Sequence, residues 1–199
     1  MRNNHIKLVG VVETQILFSH QSYGQNFVTF KLAVIRKSGY VDHIPIIMPE
    51  SILYANNLCQ GEVAEIDGEI RSYNEGKHLK IFCYVKILKK ISGDINHIDY
   101  VNELELRGFI VREPLLRKTP RDRIIADFLF AVNGDNRSDY LPCIAWEKNA
   151  VYVNELKVGS EMRIRGRFQS REYLKNEGEE IIQKTAFELS VNTLEVLSK

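Results

Sequence analysis

The 199-residue chain reads as an all-β protein made of two tandem copies of one small barrel. An internal repeat and a strand-like apolar period carry that reading. The stretch Asn4-His5-Ile6-Lys7-Leu8-Val9-Gly10 returns 98 residues on as Asn102-Glu103-Leu104-Glu105-Leu106-Arg107-Gly108. At the same offset Phe30, Ala33, Val34, Gly61, Ile66, Gly68 and Ser72 return as Phe128, Ala131, Val132, Gly159, Ile164, Gly166 and Ser170. A self-similarity of this length marks a duplicated structural unit. Pro45 and Pro142 fall one residue out of step, as a loop slip would give. The expected domains are residues 1–91 and 102–199, joined by residues 92–101, where Ser92-Gly93-Asp94-Ile95-Asn96 is turn-rich.

Each element can be justified in turn. Ile6, Leu8 and Val12 in one copy, and Leu104, Leu106 and Ile110 in the other, keep the period of a half-buried first strand. Gly10 and Gly108 interrupt these strands, where a closed barrel needs a bulge or bend. Second strands are expected over residues 27–35 and 126–133, and third strands over 41–48 and 140–146. A short helix follows in each copy, marked by Ile52, Ala55 and Leu58, then by Ala150, Val153 and Leu156. Gly61 and Gly159 are read as their C-caps. Fourth strands cover 63–72 and 162–170, and fifth strands 79–88 and 182–196. Three strands, a short helix and two strands is the order of the five-stranded OB-fold barrel. Another small barrel of the same strand count would read alike.

Composition excludes several classes. Hydrophobic residues make up 44% and charged residues 27%, enough apolar side chain for a core and too much for a disordered tail. No run approaches the ~18 apolar residues of a membrane span, and the first residues lack an apolar leader, so a cytoplasmic location without membrane contact is expected. Cys59, Cys83 and Cys143 contain no C-x-x-C pair and read as reduced, buried thiols. Phosphate-loop and H-E-x-x-H motifs are absent, and the five histidines lack ligand spacing, so no enzyme, metal or cofactor is expected. Net charge is only +1, so any charge argument must be local. Locally, arginine is uneven: three lie in residues 1–100 and ten in residues 101–199.

The second copy carries more specific motifs. Its first strand leads to Pro114-Leu115-Leu116-Arg117-Lys118-Thr119-Pro120. Then come Ala126-Asp127-Phe128-Leu129-Phe130-Ala131-Val132-Asn133 and Ser138-Asp139-Tyr140-Leu141-Pro142-Cys143-Ile144-Ala145-Trp146, and after the helix Arg165-Gly166-Arg167-Phe168-Gln169-Ser170-Arg171-Glu172-Tyr173. In order and spacing this resembles the bacterial single-stranded DNA-binding protein family, including its primosomal replication relatives. The resemblance implies stacking of bases on aromatic residues and tracking of phosphates by basic ones. It points to Tyr140 at the start of the third strand, Trp146 at its end and Tyr173 in the hairpin after the fourth. The alternative for Trp146 is packing against core or helix. Arg117, Lys118, Arg121 and Arg123 are read as one basic loop, with Asn133, Arg137, Arg171 and Lys175 able to reach the same groove. Phe128 and Phe130 align with Phe30 and Leu32 and are assigned to the core.

The first copy departs at these positions. Pro49 stands for Trp146, Ser19 for Arg117, and Glu75 occupies the hairpin near the family's aromatic. The first barrel is therefore expected to bind nucleic acid weakly or not at all and to serve structure or a partner. On the outward face of the fourth strand, Glu65, Asp67 and Glu69 in one copy face the alignment with Arg163, Arg165 and Arg167 in the other. The resemblance implies assembly of four barrels, so a homodimer is expected, with the acidic stripe of one chain near the basic stripe of its partner; the rival is that Arg163, Arg165 and Arg167 touch nucleic acid and leave the acidic stripe as a repulsive surface. The expected function is sequence-tolerant binding of single-stranded DNA in replication, recombination or repair. RNA binding, or adaptor work on replication proteins, is the alternative.

Overall fold

The computed structural model describes residues 3–92, 97–134, 136–177 and 180–198. The turn-rich Gly93-Asp94-Ile95-Asn96 lies outside them. The first half comprises β1 (Asn4–Val12), β2 (Leu17–Ser22), β3 (Gln25–Ile35), β4 (Val41–Pro49), α1 (Glu50–Asn56), β5 (Val63–Glu75) and β6 (His78–Ile91). The second comprises β7 (Val101–Ile110), β8 (Leu115–Lys118), β9 (Ile124–Asn133), β10 (Ser138–Trp146), α2 (Lys148–Asn154), β11 (Glu161–Glu177) and β12 (Glu180–Ser198).

One continuous sheet runs β2-β3-β4-β6-β5-β1-β7-β11-β12-β10-β9-β8. The order reads the same from either end once six is added to each strand number of the first half. Pairing of β1 with β3, and of β7 with β9, closes each half into a barrel, while β4–β6 and β10–β12 are parallel. These are two OB-folds, each carrying one strand more than the five expected. The additional β2 and β8 are short edge strands. Arg117 and Lys118 therefore sit on a strand, and only Arg121 and Arg123 lie in the following turn.

The cores follow from the strand period. Ile6, Leu8, Phe30, Leu32, Ile44, Ile46 and Ile66 fill the first, and Leu104, Leu106, Phe130, Leu141, Ile164 and Phe168 the second. Phe128 and Phe130 meet edge to face inside it at 6.3 Å, as core residues. Gly10 and Gly108 stand where β1 and β7 pass from one neighbour to the other. A Cβ on Gly10 would lie 2.5 Å from the Ala33 carbonyl oxygen, and one on Gly108 closer still to that of Ala131. Only glycine lets the barrel close there. Gly68 and Gly166 each mark a register shift, and others fall between Phe18 and His20 and between Glu161 and Met162.

Two readings need correction. α1 ends at Asn57 in the left-handed conformation and α2 at Glu155, so neither glycine caps a helix. Gly61 and Gly159 instead take positive φ in the turns before β5 and β11, where their amides bond the Val12 and Ile110 carbonyls, both at 2.8 Å. Cys59 is exposed, because the turn after α1 carries it out of the core; Cys83 and Cys143 are buried, which pushes their thiols well above the usual range.

The halves are joined through β1 and β7, antiparallel from Asn4↔Leu106 to Val9↔Val101. Flanking this seam, Asp42 accepts the Ser170 amide at 2.9 Å while Ser170 Oγ accepts the His43 amide at 3.0 Å. At the equivalent place, Asp139 accepts the Ser72 amide at 2.7 Å and Ser72 Oγ accepts the Tyr140 amide at 2.9 Å. A local two-fold axis thus relates the barrels within one chain.

Candidate nucleic-acid interface

A groove of about 930 Å³ opens along the second barrel and onto the first. Trp146 ends β10 in its wall. The chain then turns sharply at Glu147, φ 50° and ψ −117°, to enter α2. The Trp146 Nε1–H donates to Ser190 Oγ at 3.1 Å, and the Arg123 guanidinium lies 4.6 Å over the ring. Arg123 is itself steadied by Glu147, its Nε 3.2 Å from Oε1. The indole is thus half-buried and oriented, with contacts to the groove as well as to the barrel.

Arg117, Arg121, Arg123, Arg167 and Arg171 line the same space. Arg117 is held in a fork by Asp127, which raises its guanidinium further above its ordinary value. Arg121 forms no ion pair among the described residues and is exposed. Arg171 lies 5.7 Å over the Tyr173 ring and 3.9 Å from Glu188. Tyr173 sits within β11, which extends beyond the expected hairpin start, and is 37% exposed.

The other sequence candidates fall elsewhere. Lys118 pairs with Asp122 at 2.7 Å on the outer turn. Tyr140 shares the outward face of β10 with Trp146 but lies six residues away, about 20 Å along the strand. Asn133 accepts from the Ser138 hydroxyl at 2.8 Å near it. Arg137 donates to the Ser72 carbonyl and, at 2.6 Å, to Asp139, at the seam between the barrels. The side chain of Lys175 lies outside the described residues.

The two charged stripes lie on one sheet, with β1 and β7 between them. Glu65 meets Lys7 at 3.1 Å, Asp67 meets His5 at 2.5 Å, and Glu69 meets Arg71. Arg163 meets Glu195 at 2.8 Å and Arg165 meets Glu105 at 2.7 Å. Five of the six thus have ion-pair partners in neighbouring strands of the same chain, β1, β6, β7 or β12, Glu69 through Lys86 at 3.6 Å. Arg167 has parted from this row and turned into the groove.

Sequence reasoning missed two groove residues, Arg36 and Tyr40, and gave Arg167 contact with nucleic acid only as the rival to its interface role. Arg36 and Tyr40 belong to the first barrel and reach the groove across the seam. The rarity of arginine in the first hundred residues, three in all, is the one signal that could have marked Arg36.

The arrangement defines a pair of OB-folds sharing one basic, aromatic-lined groove. Residues 101–197, the second barrel, match the family described as single-strand binding protein family. The single-stranded DNA-binding protein of Halalkalibacterium halodurans is 37% identical over 103 residues, which cover 48% of this chain and 61% of that protein. Single-stranded DNA-binding protein A of Bacillus subtilis is 33% identical over 103 residues, covering 48% and 60%. The chain thus spans about three fifths of the length of these curated relatives. The wild-type single-stranded DNA binding protein from Thermus aquaticus has the same fold over both barrels, with a TM-score of 0.76, 18% identity, and coverage of 98% of this chain and 93% of that one. Among the described residues, no helix is long and apolar enough to cross a membrane.

Proposed function

We propose that this chain binds single-stranded DNA without strict sequence preference, acting in the cytoplasm in replication, recombination or repair, and that it performs no catalysis. One observation carries the reading: six arginines and two aromatic rings line a single groove whose described walls hold one carboxylate, Glu188. Guanidinium groups suit phosphate by fork geometry and bases by stacking. A base on an aromatic ring is worth about 1–3 kcal/mol whatever the base. The names of the relatives of the second barrel agree with this chemistry.

Titration of Trp146 fluorescence with oligo-dT, oligo-rU and duplex DNA tests it. Quenching by oligo-dT at lower concentration than by the other two is expected. Preference for oligo-rU would move the protein to RNA, and no response to any would favour an adaptor that meets replication proteins. We also propose a homodimer of two chains, giving four barrels. Light scattering should return twice the 23.0 kDa chain mass; a single-chain mass would sink that part.

A further inference from the structure

We infer that a bound strand does not stay on the second barrel but crosses the seam onto the first, with a phosphate seated beside Arg167 and Arg36 and a base on Tyr40. This deepens the function proposed above and rests on it.

The Nε–H of Arg167 is buried and has no hydrogen-bond partner among the described residues. Elsewhere its guanidinium reaches the Gln169 side-chain oxygen at 3.2 Å. A buried donor left unpaired is costly, so its retention in a groove wall points to an acceptor brought by a ligand. Burial, with Arg36 close by, also pushes this guanidinium below its ordinary value, the strain that an anion would relieve. Arg36 is fixed by Asp42 through two hydrogen bonds of 2.7 and 2.5 Å, and stands 4.5 Å over the Tyr40 ring. This repeats the Arg123–Trp146 stack at the other barrel's side of the same groove, so each barrel contributes one arginine-backed ring. The ring of Tyr40 is 42% exposed and has surface left for a base.

The two-fold-related side of the seam explains why only one crossing exists. There, Glu69 takes the place of Arg167 and pairs with Arg71 and Lys86, while Arg71 also reaches Asp139 at 3.2 Å. That side is closed by its own ion pairs. The charge inversion between Glu69 and Arg167 thus selects the route.

The test uses the full chain with dT of about 30 nucleotides. Arg167→Gln removes a half-buried charge that has no carboxylate partner among the described residues and should keep the fold. It is expected to weaken binding at least about fivefold and to lower the slope of log K against log salt by about 0.7, the value for one single-strand phosphate contact. Tyr40→Trp in a Trp146→Phe background gives a reporter on the first barrel, and its emission should be quenched by the oligonucleotide. Unquenched Tyr40→Trp, together with unchanged affinity of Arg167→Gln, would overturn the crossing while leaving strand binding intact, since the parent would still bind and quench Trp146. If no oligonucleotide binds the parent, the crossing and the proposed function fall together.

Discussion

Asp139 of the second barrel holds the backbone amide of Ser72 in the first at 2.7 Å, with its carboxylate almost fully buried. Arg71 and Arg137 complete its shell, so a carboxylate that would be costly to bury alone is matched by two guanidinium groups and an amide. The seam between the barrels is therefore a structural joint and not a passive contact.

Asp139→Ala should destabilise the protein by about 3 kcal/mol, since it leaves buried donors without a partner. Ser72→Ala keeps the backbone amide and should cost about 1 kcal/mol. Denaturant midpoints at constant slope would measure both. Equal small effects would mean that the joint contributes little.

Asp127 competes with phosphate for Arg117. Asp127→Asn releases that guanidinium from its fork, so oligo-dT should bind more tightly at low salt and the salt slope should steepen by about 0.7. An unchanged slope would remove Arg117 from the contact surface. Arg121→Gln should lower the slope by a similar amount, because no intramolecular carboxylate holds it among the described residues.

Trp146→Ala and Tyr173→Ala should each weaken oligo-dT binding by about 1–3 kcal/mol in anisotropy titrations. Trp146→Phe keeps a ring face and should recover part of the loss. Parental affinity in both alanine variants would show that neither ring is a platform.

Gly108→Ala would drive a methyl group into the Ala131 carbonyl where the second barrel closes. A loss of about 1–3 kcal/mol is expected, measured as a lowered melting temperature. Gly159→Ala has open space around it but a φ of 91°, so its cost should come from backbone strain alone.

Much of this was legible in the sequence, and the gaps have physical causes. The period of Leu104, Leu106 and Ile110 and the offset between copies read the core strands correctly because burial of one face imposes them. Trp146, Arg117, Arg121, Arg123 and Arg171, which the sequence grouped within one copy, line one groove, and their use as a binding site stays a proposal. Arg36 and Tyr40 were not found, because comparing copies treats each as independent, and their position depends on pairing of β1 with β7. Arg137 was drawn to the groove by charge, whereas the buried Asp139 holds it at the seam. Gly61 and Gly159 looked like helix caps because they follow the helical periods closely, but their positive φ serves the turns before β5 and β11.

A symmetric pair of identical chains must accept every substitution twice, once on each side of its axis. Here the axis lies inside a single polypeptide, between β1 and β7, and each side can change alone. Pro49 opposite Trp146 and Glu69 opposite Arg167 are changes that an identical pair could not hold on one side only. The molecule consequently has a front and a back. A polymer with chemically distinct ends, lying across such a surface, meets different neighbours in its two orientations, so covalent duplication turns a two-fold object into one with direction.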